Sequence, residues 1–211
     1  MAEESSENDE VEYKIITLGN TGVGKTSIIQ RFVLDEYNPD QLSTMGCAFS
    51  FKVLNINKKT LKLKLIDTGG QERYRSLSLS YFKNADVVLF VFDLNLEESF
   101  DSIQYWIDLF NENDGGQHII GKYLIGNKCD LEQNVKQELI DEIVQKNGLL
   151  YMSTSARTKS QIDEMFEYIG GDLYEYTEKK AKKKNGKKKV QKGKVLTKTN
   201  LNKQKKGNCC N

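Results

Sequence analysis

The chain carries at residues 19–26 the stretch Gly19-Asn20-Thr21-Gly22-Val23-Gly24-Lys25-Thr26, between an apolar run at residues 15–18 and a helical pattern. A strand, a glycine-rich loop and a helix in this order bind phosphate, because backbone N–H groups and the positive end of the helix face the same anion. We expect Lys25 to reach the β- and γ-phosphates of a nucleotide and Thr26 to bind Mg²⁺. The loop alone does not distinguish a motor, a kinase and a switch.

The pattern from residue 13 to residue 177 alternates short apolar runs with helical periods. Runs at residues 48–56 and 60–66 predict an antiparallel hairpin, and the continuous apolar run at residues 87–92 predicts a strand covered on both faces. Helical periods follow, at residues 100–110, 139–144 and 162–173. The five or six strands in this pattern indicate a doubly wound α/β fold, and we expect a mostly parallel six-stranded sheet with one antiparallel strand. Its ligand site is expected beyond the carboxyl ends of the strands.

Composition narrows the function classes. The chain has 211 residues, 38% of them hydrophobic, which suffices for one sizeable core. No window has the apolar length of a membrane-spanning helix, and the N-terminus lacks the apolar stretch of a signal peptide. The four cysteines lack the spacing of a zinc site or a disulfide framework. We therefore expect one soluble domain on the cytosolic side.

Charge is segregated along the chain. Residues 179–211 hold 14 of the 31 basic residues and no acidic residue, so residues 1–178 carry a net charge of −13. Such a tail on an acidic body predicts an anionic surface as partner. The predicted organisation is a disordered acidic arm at residues 1–12, a nucleotide-binding domain at 13–177, and a flexible polybasic tail at 178–211.

A second motif concerns the base. Asn127-Lys128-Cys129-Asp130 follows a short apolar run at residues 123–125. The Asp130 carboxylate can accept from N1 and N2 of guanine, two donors that adenine does not present in this arrangement. Asn127 can hold the base edge, the Lys128 stem can lie along its face, and Ser155-Ala156-Arg157 can form a second wall. The motif favours GTP over ATP, with a plain polar loop as the alternative interpretation.

A third motif concerns the γ-phosphate. Asp67 follows the run at residues 60–66 and can hold Mg²⁺ through water, while Gly70 can donate its N–H to the γ-phosphate and Gln71 can orient the attacking water. Thr44 lies in a long polar loop and is expected to complete the Mg²⁺ shell through its hydroxyl. Both loops are then expected to relax once the γ-phosphate leaves.

These motifs make the chain resemble a Ras-superfamily small GTPase, and within that superfamily a Rab. The Rab-like signs lie at residues 43–49, 73–85 and 91–100. The resemblance implies a small G-protein fold and a GTP/GDP switch that regulates intracellular vesicle trafficking. It also implies hydrolysis of GTP to GDP and phosphate with Mg²⁺, slow without an activating protein.

The resemblance completes the set of site residues. The expected nucleotide-binding residues are Thr21, Gly22, Val23, Gly24, Lys25, Thr26, Ser27, Tyr37, Thr44, Gly70, Asn127, Lys128, Asp130, Ser155, Ala156 and Arg157. Tyr37 is included because its ring should pack against the nucleotide, as in the family. Mg²⁺ is expected at Thr26, Thr44 and Asp67, and Gln71 is the expected catalytic residue.

Four positions depart from the Rab pattern. Ile66 stands where Rabs carry tryptophan and Ala48 where they carry aspartate, both expected on the hairpin surface that the family presents to effectors. We therefore expect effectors that differ from those of typical Rabs. Gly69 replaces the alanine that is usual in Rabs, which should loosen the backbone beside Gln71. Thr21 stands where Rabs often have serine. These two changes predict weak unassisted GTP hydrolysis.

The chain ends in Gly207-Asn208-Cys209-Cys210-Asn211. A four-residue prenylation box would require cysteine at position 208, whereas paired terminal cysteines resemble Rab tails, which carry two geranylgeranyl groups. Two lipid chains anchor stably, and lysines near anionic lipid add to the attraction. The resemblance thus implies lipidation of Cys209 and Cys210 and a place on the cytoplasmic face of intracellular membranes, with a cytosolic pool.

The same resemblance implies the partners: an exchange factor, an activating protein, escort and GDP-dissociation inhibitor proteins, and effectors. The effectors are expected at the two loops that contain Thr44 and Gln71, called the switch loops below. Two alternatives stay open. Thr21, Gly69 and Ile66 are compatible with a GTP-gated membrane adaptor that barely hydrolyses its nucleotide. The lysine-rich tail is compatible with an RNA-associated protein, although no nucleic acid is the expected partner.

Overall fold

A computed structural model describes residues 11–70, 80–114 and 118–199, with side chains through residue 183 except at position 114. The strands are β1 Val11–Leu18, β2 Cys47–Ile56, β3 Lys59–Thr68, β4 Val87–Asp93, β5 Gly121–Asn127 and β6 Leu150–Ser153. The helices within the described residues are α1 Lys25–Leu34, α2 Glu97–Asp101, α3 Ile103–Asp114, α4 Gln137–Asn147 and α5 Ile162–Thr199.

The strands form one six-stranded sheet in the order β2-β3-β1-β4-β5-β6. Among the strands of the described residues, only the β2–β3 pair is antiparallel, which confirms the predicted fold class. The hairpin turns at Asn57 and Lys58, whose φ angles are 48° and 66°. Positive φ at both turn residues gives a twist that matches the flanking strands, and asparagine favours it.

Helices cover both faces of the sheet. On one face, Phe90 and Ile16 lie in a buried cluster with Trp106 and Phe110 of α3. On the other face, the rings of Phe32 in α1 and Phe166 in α5 stack with centroids 3.8 Å apart. The strand β4 is buried along its whole length, because it lies between these layers.

Parallel pairing brings the motifs to one edge of the sheet. Thr17 pairs with Asp67 across β1 and β3, and Asp93 pairs with Asn127 across β4 and β5. The loops that follow β1, β3, β5 and β6 therefore leave the sheet at the same edge. Residues far apart in sequence meet there, as expected for a doubly wound sheet.

The helical period at residues 100–110 is not one helix. The chain forms α2 and α3, which are separated at Ser102. The Ser102 hydroxyl donates to the Glu98 carbonyl at 3.1 Å. A serine that bonds back to the preceding turn competes with the backbone N–H groups and bends a helix.

One prediction about the hairpin surface is wrong. Ile66 is fully buried, in the same cluster as Ile16 and Phe82, so its side chain is not part of an exposed hairpin face. The reason is its register, since Ile66 lies between Ile16 of β1 and Phe49 of β2. Ala48, in contrast, is exposed as expected.

The chain divides into two units, Met1–Leu173 and Tyr174–Asn211. The structure differs from the sequence prediction in the tail, because α5 continues to Thr199 where a flexible linker is expected from residue 178. Lysine, alanine and glutamate are good helix formers, and no proline interrupts them there. Within the second unit, Lys179 and Glu175 form an ion pair at 3.0 Å, one helical turn apart. None of the helices in the described ranges combines the length and apolar character needed to cross a bilayer.

Candidate nucleotide site

The loop after β1 and the start of α1 line one end of a cavity at this edge of the sheet. Gly24 caps the helix with a φ of 96°, a left-handed conformation that favours glycine, and no side chain caps the helix there. The first turn of α1 also has no acidic residue. The N–H groups and positive dipole end of α1 are thus arranged to bind an anion.

Lys25 is buried beneath this loop. Its Nζ donates to the carbonyl oxygens of Gly19 and Asn20, each at 2.8 Å. Burial lowers the pKa of Lys25 from 10.5 to about 8, and the charge of Asp67 only partly opposes this. A lysine held in such a place is stabilised by an anionic ligand, because a nearby negative charge favours the protonated amine.

Three oxygen-bearing side chains converge beside Lys25. Thr26 Oγ1 donates to Asp67 Oδ2 at 2.6 Å, and the hydroxyl oxygens of Thr26 and Thr44 are 2.7 Å apart. Thr44 Oγ1 also donates to Asp67 Oδ2 at 3.2 Å. The structure therefore brings the three predicted Mg²⁺ residues together, although they come from α1, the following loop and β3.

The Asp67 carboxyl tests whether this cluster fits a cation. Its Oδ1 is buried and has no hydrogen-bond partner among the described residues, and burial raises the pKa of Asp67. A buried carboxylate oxygen without a partner is costly, and a nearby cation relieves that cost. Two hydroxyls and one carboxyl suit Mg²⁺, which keeps waters and phosphate oxygens as its remaining ligands.

The loop after β3 touches both neighbouring loops. The Gly69 N–H donates to the Gly46 carbonyl at 2.7 Å, and a methyl group added at Gly69 would lie 2.7 Å from the Thr44 carbonyl oxygen. A methyl group at Gly70 would lie 2.8 Å from the Asn20 carbonyl oxygen. Gly69 is thus in tight contact with the loop that contains Thr44. A glycine at this position therefore has a packing reason, in addition to the greater backbone freedom expected from the sequence.

At the other end of the cavity, Asp130 is held in place by protein groups. The Ser155 hydroxyl donates to Asp130 Oδ1 at 2.5 Å, and the Arg157 guanidinium lies 3.8 Å from Oδ2. Lys128 has a φ of 63° and forms an ion pair with Asp93 at 2.7 Å. This pairing fixes the Lys128 stem, and no local sequence pattern indicates Asp93 as its partner.

Asn127 braces the site. Its Nδ2 donates to the Val23 carbonyl at 2.8 Å, and its Oδ1 accepts from Thr154 Oγ1 and Ala156 N–H, each at 3.3 Å. These contacts join three loops. The amide is buried, and since a side-chain amide carries two N–H donors, the bond to Val23 leaves one N–H for the predicted contact with the base edge.

A cavity of about 320 Å³ runs between the two ends, a size typical of small-ligand sites. Its walls include most predicted binding residues: Thr21, Gly22, Gly24, Lys25, Thr26, Ser27, Tyr37, Thr44, Gly70, Asn127, Lys128, Asp130, Ala156 and Arg157. Three buried predicted residues are not among its walls, Val23, Ser155 and Asp67. Val23 and Ser155 act on neighbouring side chains instead, as described above.

Sequence reasoning missed several walls of the cavity. They are Asn38, Pro39, Gln41, Leu42, Ser43, Thr68 and Leu131. Loop length indicated the region between α1 and β2 but not which of its side chains face the cavity. Gln71, Cys209 and Cys210 lie outside the described residues.

The family follows from comparison with known proteins. The Ras family model matches residues 14–175, which include both ends of the cavity. The chain belongs to the Ras family. Ras-related protein Rab-13 of Bos taurus is 34% identical over 163 residues, 76% of this chain and 79% of that protein. Ras-related protein Rab11A of Lotus japonicus is 36% identical over 172 residues, 80% of this chain and 75% of that protein.

A match over nearly the whole length comes from yeast. GTP-binding protein YPT1 of Saccharomyces cerevisiae is 31% identical over 207 residues, 96% of this chain and 100% of that protein. The chain is accordingly a Rab-type small GTPase, a GTP/GDP switch of vesicle trafficking that uses Mg²⁺ and hydrolyses GTP. As a Rab it works with exchange factors, activating proteins, GDP-dissociation inhibitors and effectors.

Proposed function

We propose that the cavity holds GTP or GDP with its phosphates at Lys25 and its base at Asp130. The observation that carries this proposal is the cluster of Thr26, Thr44 and Asp67 next to the buried amine of Lys25. The loop amides and Lys25 bind the phosphates, the two threonine hydroxyls bind Mg²⁺ directly, and Asp67 binds it through water. Tyr37, which lines the cavity, packs against the nucleotide.

Base selection by Asp130 can be tested by exchanging donors and acceptors. Asp130→Asn places an amide N–H₂ where a carboxylate oxygen accepts, so guanine loses its partner and xanthine, which presents a carbonyl oxygen there, gains one. We expect GTP affinity to fall by about a hundredfold or more and xanthosine triphosphate to bind in its place. Equal GTP affinity in the variant and the parent chain would refute the assignment of the base end.

Gln71 is proposed to orient the attacking water, while Gly70 donates its N–H to the γ-phosphate. Gln71 follows Gly70, whose backbone lies against the glycine-rich loop at residues 19–26, called the phosphate loop below. This position supports the role of Gln71. Gln71→Leu should slow GTP hydrolysis and leave GTP affinity intact. A single-turnover assay with and without an activating protein also separates the GTPase from a GTP-gated adaptor, which would stay slow in both.

The tail is proposed to anchor the protein. The basic segment and the paired cysteines Cys209 and Cys210 support attachment through two geranylgeranyl groups to the cytoplasmic face of intracellular membranes, with a cytosolic pool. In this organisation, residues 1–12 form an acidic arm, 13–177 the GTPase domain and 178–211 the tail. Replacing both cysteines by serine should leave the protein wholly cytosolic in cell fractions. Persistent membrane association of that variant would contradict the proposal.

Partners are proposed to recognise the two switch loops. The exposed position of Ala48 and the cavity-facing Thr44 support effector contact at the loop before β2, which changes with the γ-phosphate. Escort and GDP-dissociation inhibitor proteins would handle the lipidated tail. Nucleic acid is not a proposed partner, and salt-sensitive RNA binding that disappears without residues 179–206 would show otherwise.

A further inference from the structure

Both polar atoms of the Asn20 side-chain amide, in the phosphate loop, form hydrogen bonds with residues outside that loop. Oδ1 accepts from the indole N–H of Trp106 at 2.9 Å, and Nδ2 donates to the Ser102 hydroxyl at 2.9 Å. Trp106 is buried in α3, and Ser102 is the residue that separates α2 from α3. The Asn20 side chain thus connects the phosphate loop to α3 and to the α2–α3 junction, more than 80 positions away in the sequence.

The backbone of Asn20 faces the nucleotide machinery. Its carbonyl oxygen accepts one of the two hydrogen bonds from Lys25 Nζ, at 2.8 Å. Gly70 approaches the same peptide group so closely that a methyl group there would lie 2.8 Å from that oxygen. One peptide unit therefore contacts the phosphate-binding lysine and the loop that responds to the γ-phosphate, while its side chain is fixed from outside the cavity.

We propose that Asn20 is a positioning residue: anchored by Trp106 and Ser102, it holds the peptide to which Lys25 is bound and so sets the rate of nucleotide release. This inference rests on the proposed function, since it takes Lys25 to bind the phosphates. It adds that the α2–α3 junction, which does not touch the cavity, controls how long the nucleotide stays bound.

An amide suits the chemistry of this contact. The Trp106 indole can only donate, so it needs an acceptor on Asn20. The Ser102 hydroxyl has a single proton, which goes to the Glu98 carbonyl at 3.1 Å, so towards Asn20 the hydroxyl acts as acceptor. Asparagine meets both demands with one side chain. A carboxylate would lack the donor, so the Ser102 hydroxyl would have to turn away from Glu98 to bond to it, and the carboxylate would add negative charge beside the phosphates.

The experiment compares nucleotide release with stability. Trp106→Phe keeps an aromatic ring but removes the indole donor, and Ser102→Ala removes the acceptor. The quantities to measure are the dissociation rate of a ribose-labelled fluorescent GDP from the full chain with Mg²⁺ and the midpoint temperature of thermal unfolding of each variant. We expect release to accelerate about three- to tenfold in Trp106→Phe and somewhat less in Ser102→Ala.

Phe110→Leu supplies the matched control. Phe110 lies in α3 and is fully buried, as Trp106 nearly is, but it packs on Phe82 and Phe90. It should lower the thermal midpoint without accelerating release. If Phe110→Leu and Trp106→Phe accelerate release equally at equal loss of stability, α3 acts only through general stability and the proposal is overturned.

A double-mutant comparison completes the test. If Trp106 acts through Asn20, Asn20→Ala combined with Trp106→Phe should release nucleotide no faster than the faster single variant. Multiplying effects would overturn the proposal.

Trp106 is the sole tryptophan, so the emission of the chain reports on its indole alone. Asn20→Ala removes the acceptor of that indole and should shift the emission of the GDP-bound chain. Should Trp106→Phe fail to fold, Ser102→Ala and this emission carry the decision. Failure of the parent chain to bind GDP would instead refute the proposed function.

Discussion

At the base end of the cavity, Asp130, Lys128 and Asn127 are already paired with protein groups. At the phosphate end, Lys25 is a buried charge bonded to two carbonyl oxygens, and Asp67 Oδ1 has no hydrogen-bond partner among the described residues. The pKa of Lys25 is lowered to about 8 and the pKa of Asp67 is raised, both by burial. The base end is therefore built by folding. The phosphate end is completed by its ligand and is the part that can sense whether the γ-phosphate is present.

The largest effect is expected at the buried amine. Lys25→Met should lower GTP and GDP affinity by about a thousandfold, because a charge-assisted contact to two phosphates is lost. The same variant should stabilise the nucleotide-free chain. Titration calorimetry and thermal unfolding measure the two effects separately.

The stability gain of Lys25→Met should depend on pH in a defined direction. The folded-state pKa is about 8 and the unfolded value about 10.5, so below pH 8 both states are protonated and the parent chain bears the full cost of the buried charge. The gain should be largest there and shrink between these two values. A variant that is less stable than the parent at pH 7 without nucleotide would show that Lys25 is not strained.

The next effect belongs to the base end. Asn127→Ala should destabilise the nucleotide-free chain by about 3 kcal/mol, because the Val23 carbonyl and the Ala156 N–H lose their partner inside the protein. Chemical unfolding measures this. Asn134→Ala is the matched control, since its exposed amide bonds the Asn95 carbonyl and its loss should cost under about 1 kcal/mol. Equal costs would mean that the base end is not prebuilt.

A smaller effect is expected where the two switch loops touch. Gly69→Ala places a methyl group 2.7 Å from the Thr44 carbonyl and 3.0 Å from the Gly46 carbonyl, so the Thr44 loop must move. We expect the affinity for a GTP analogue to fall about tenfold, roughly 1.4 kcal/mol, and GDP affinity to change little. Gly171→Ala is the control, because its methyl group would meet nothing within 4 Å. Equal loss for both nucleotides would refute this role of Gly69.

The sequence predicted the parts of this account that depend on local chemistry. Asp67, Asp130 and the phosphate loop were found because each follows an apolar run and carries a residue type suited to one ligand group. The sheet followed from alternation of strand and helix patterns. Both are properties of short stretches, and parallel pairing then brings such stretches to one edge.

Long-range packing was beyond reach of the sequence. Ile66 is buried because of its neighbours on β1 and β2, and the Trp106–Asn20 contact joins residues from distant elements. Asn127 suits a base contact by type, but residue type does not show that its amide also bonds to the surrounding loops. Hydrophobic periodicity likewise does not show the helix break at Ser102, where a side-chain hydroxyl bonds to the backbone, or the continuation of α5 to Thr199, which depends on helix propensity.

We expect Mg²⁺ and the γ-phosphate to complete the phosphate end of the cavity through Thr44. The most direct measurement is the dissociation rate of GDP and of a non-hydrolysable GTP analogue as a function of Mg²⁺ concentration, in the parent chain and in Thr44→Ala. Thr60→Ala serves as control, since its hydroxyl bonds Asn55 on the exposed hairpin. We expect Thr44→Ala to require about tenfold more Mg²⁺ to retain the GTP analogue, while GDP release is unchanged. An identical Mg²⁺ dependence of both nucleotides in parent and variant would contradict it.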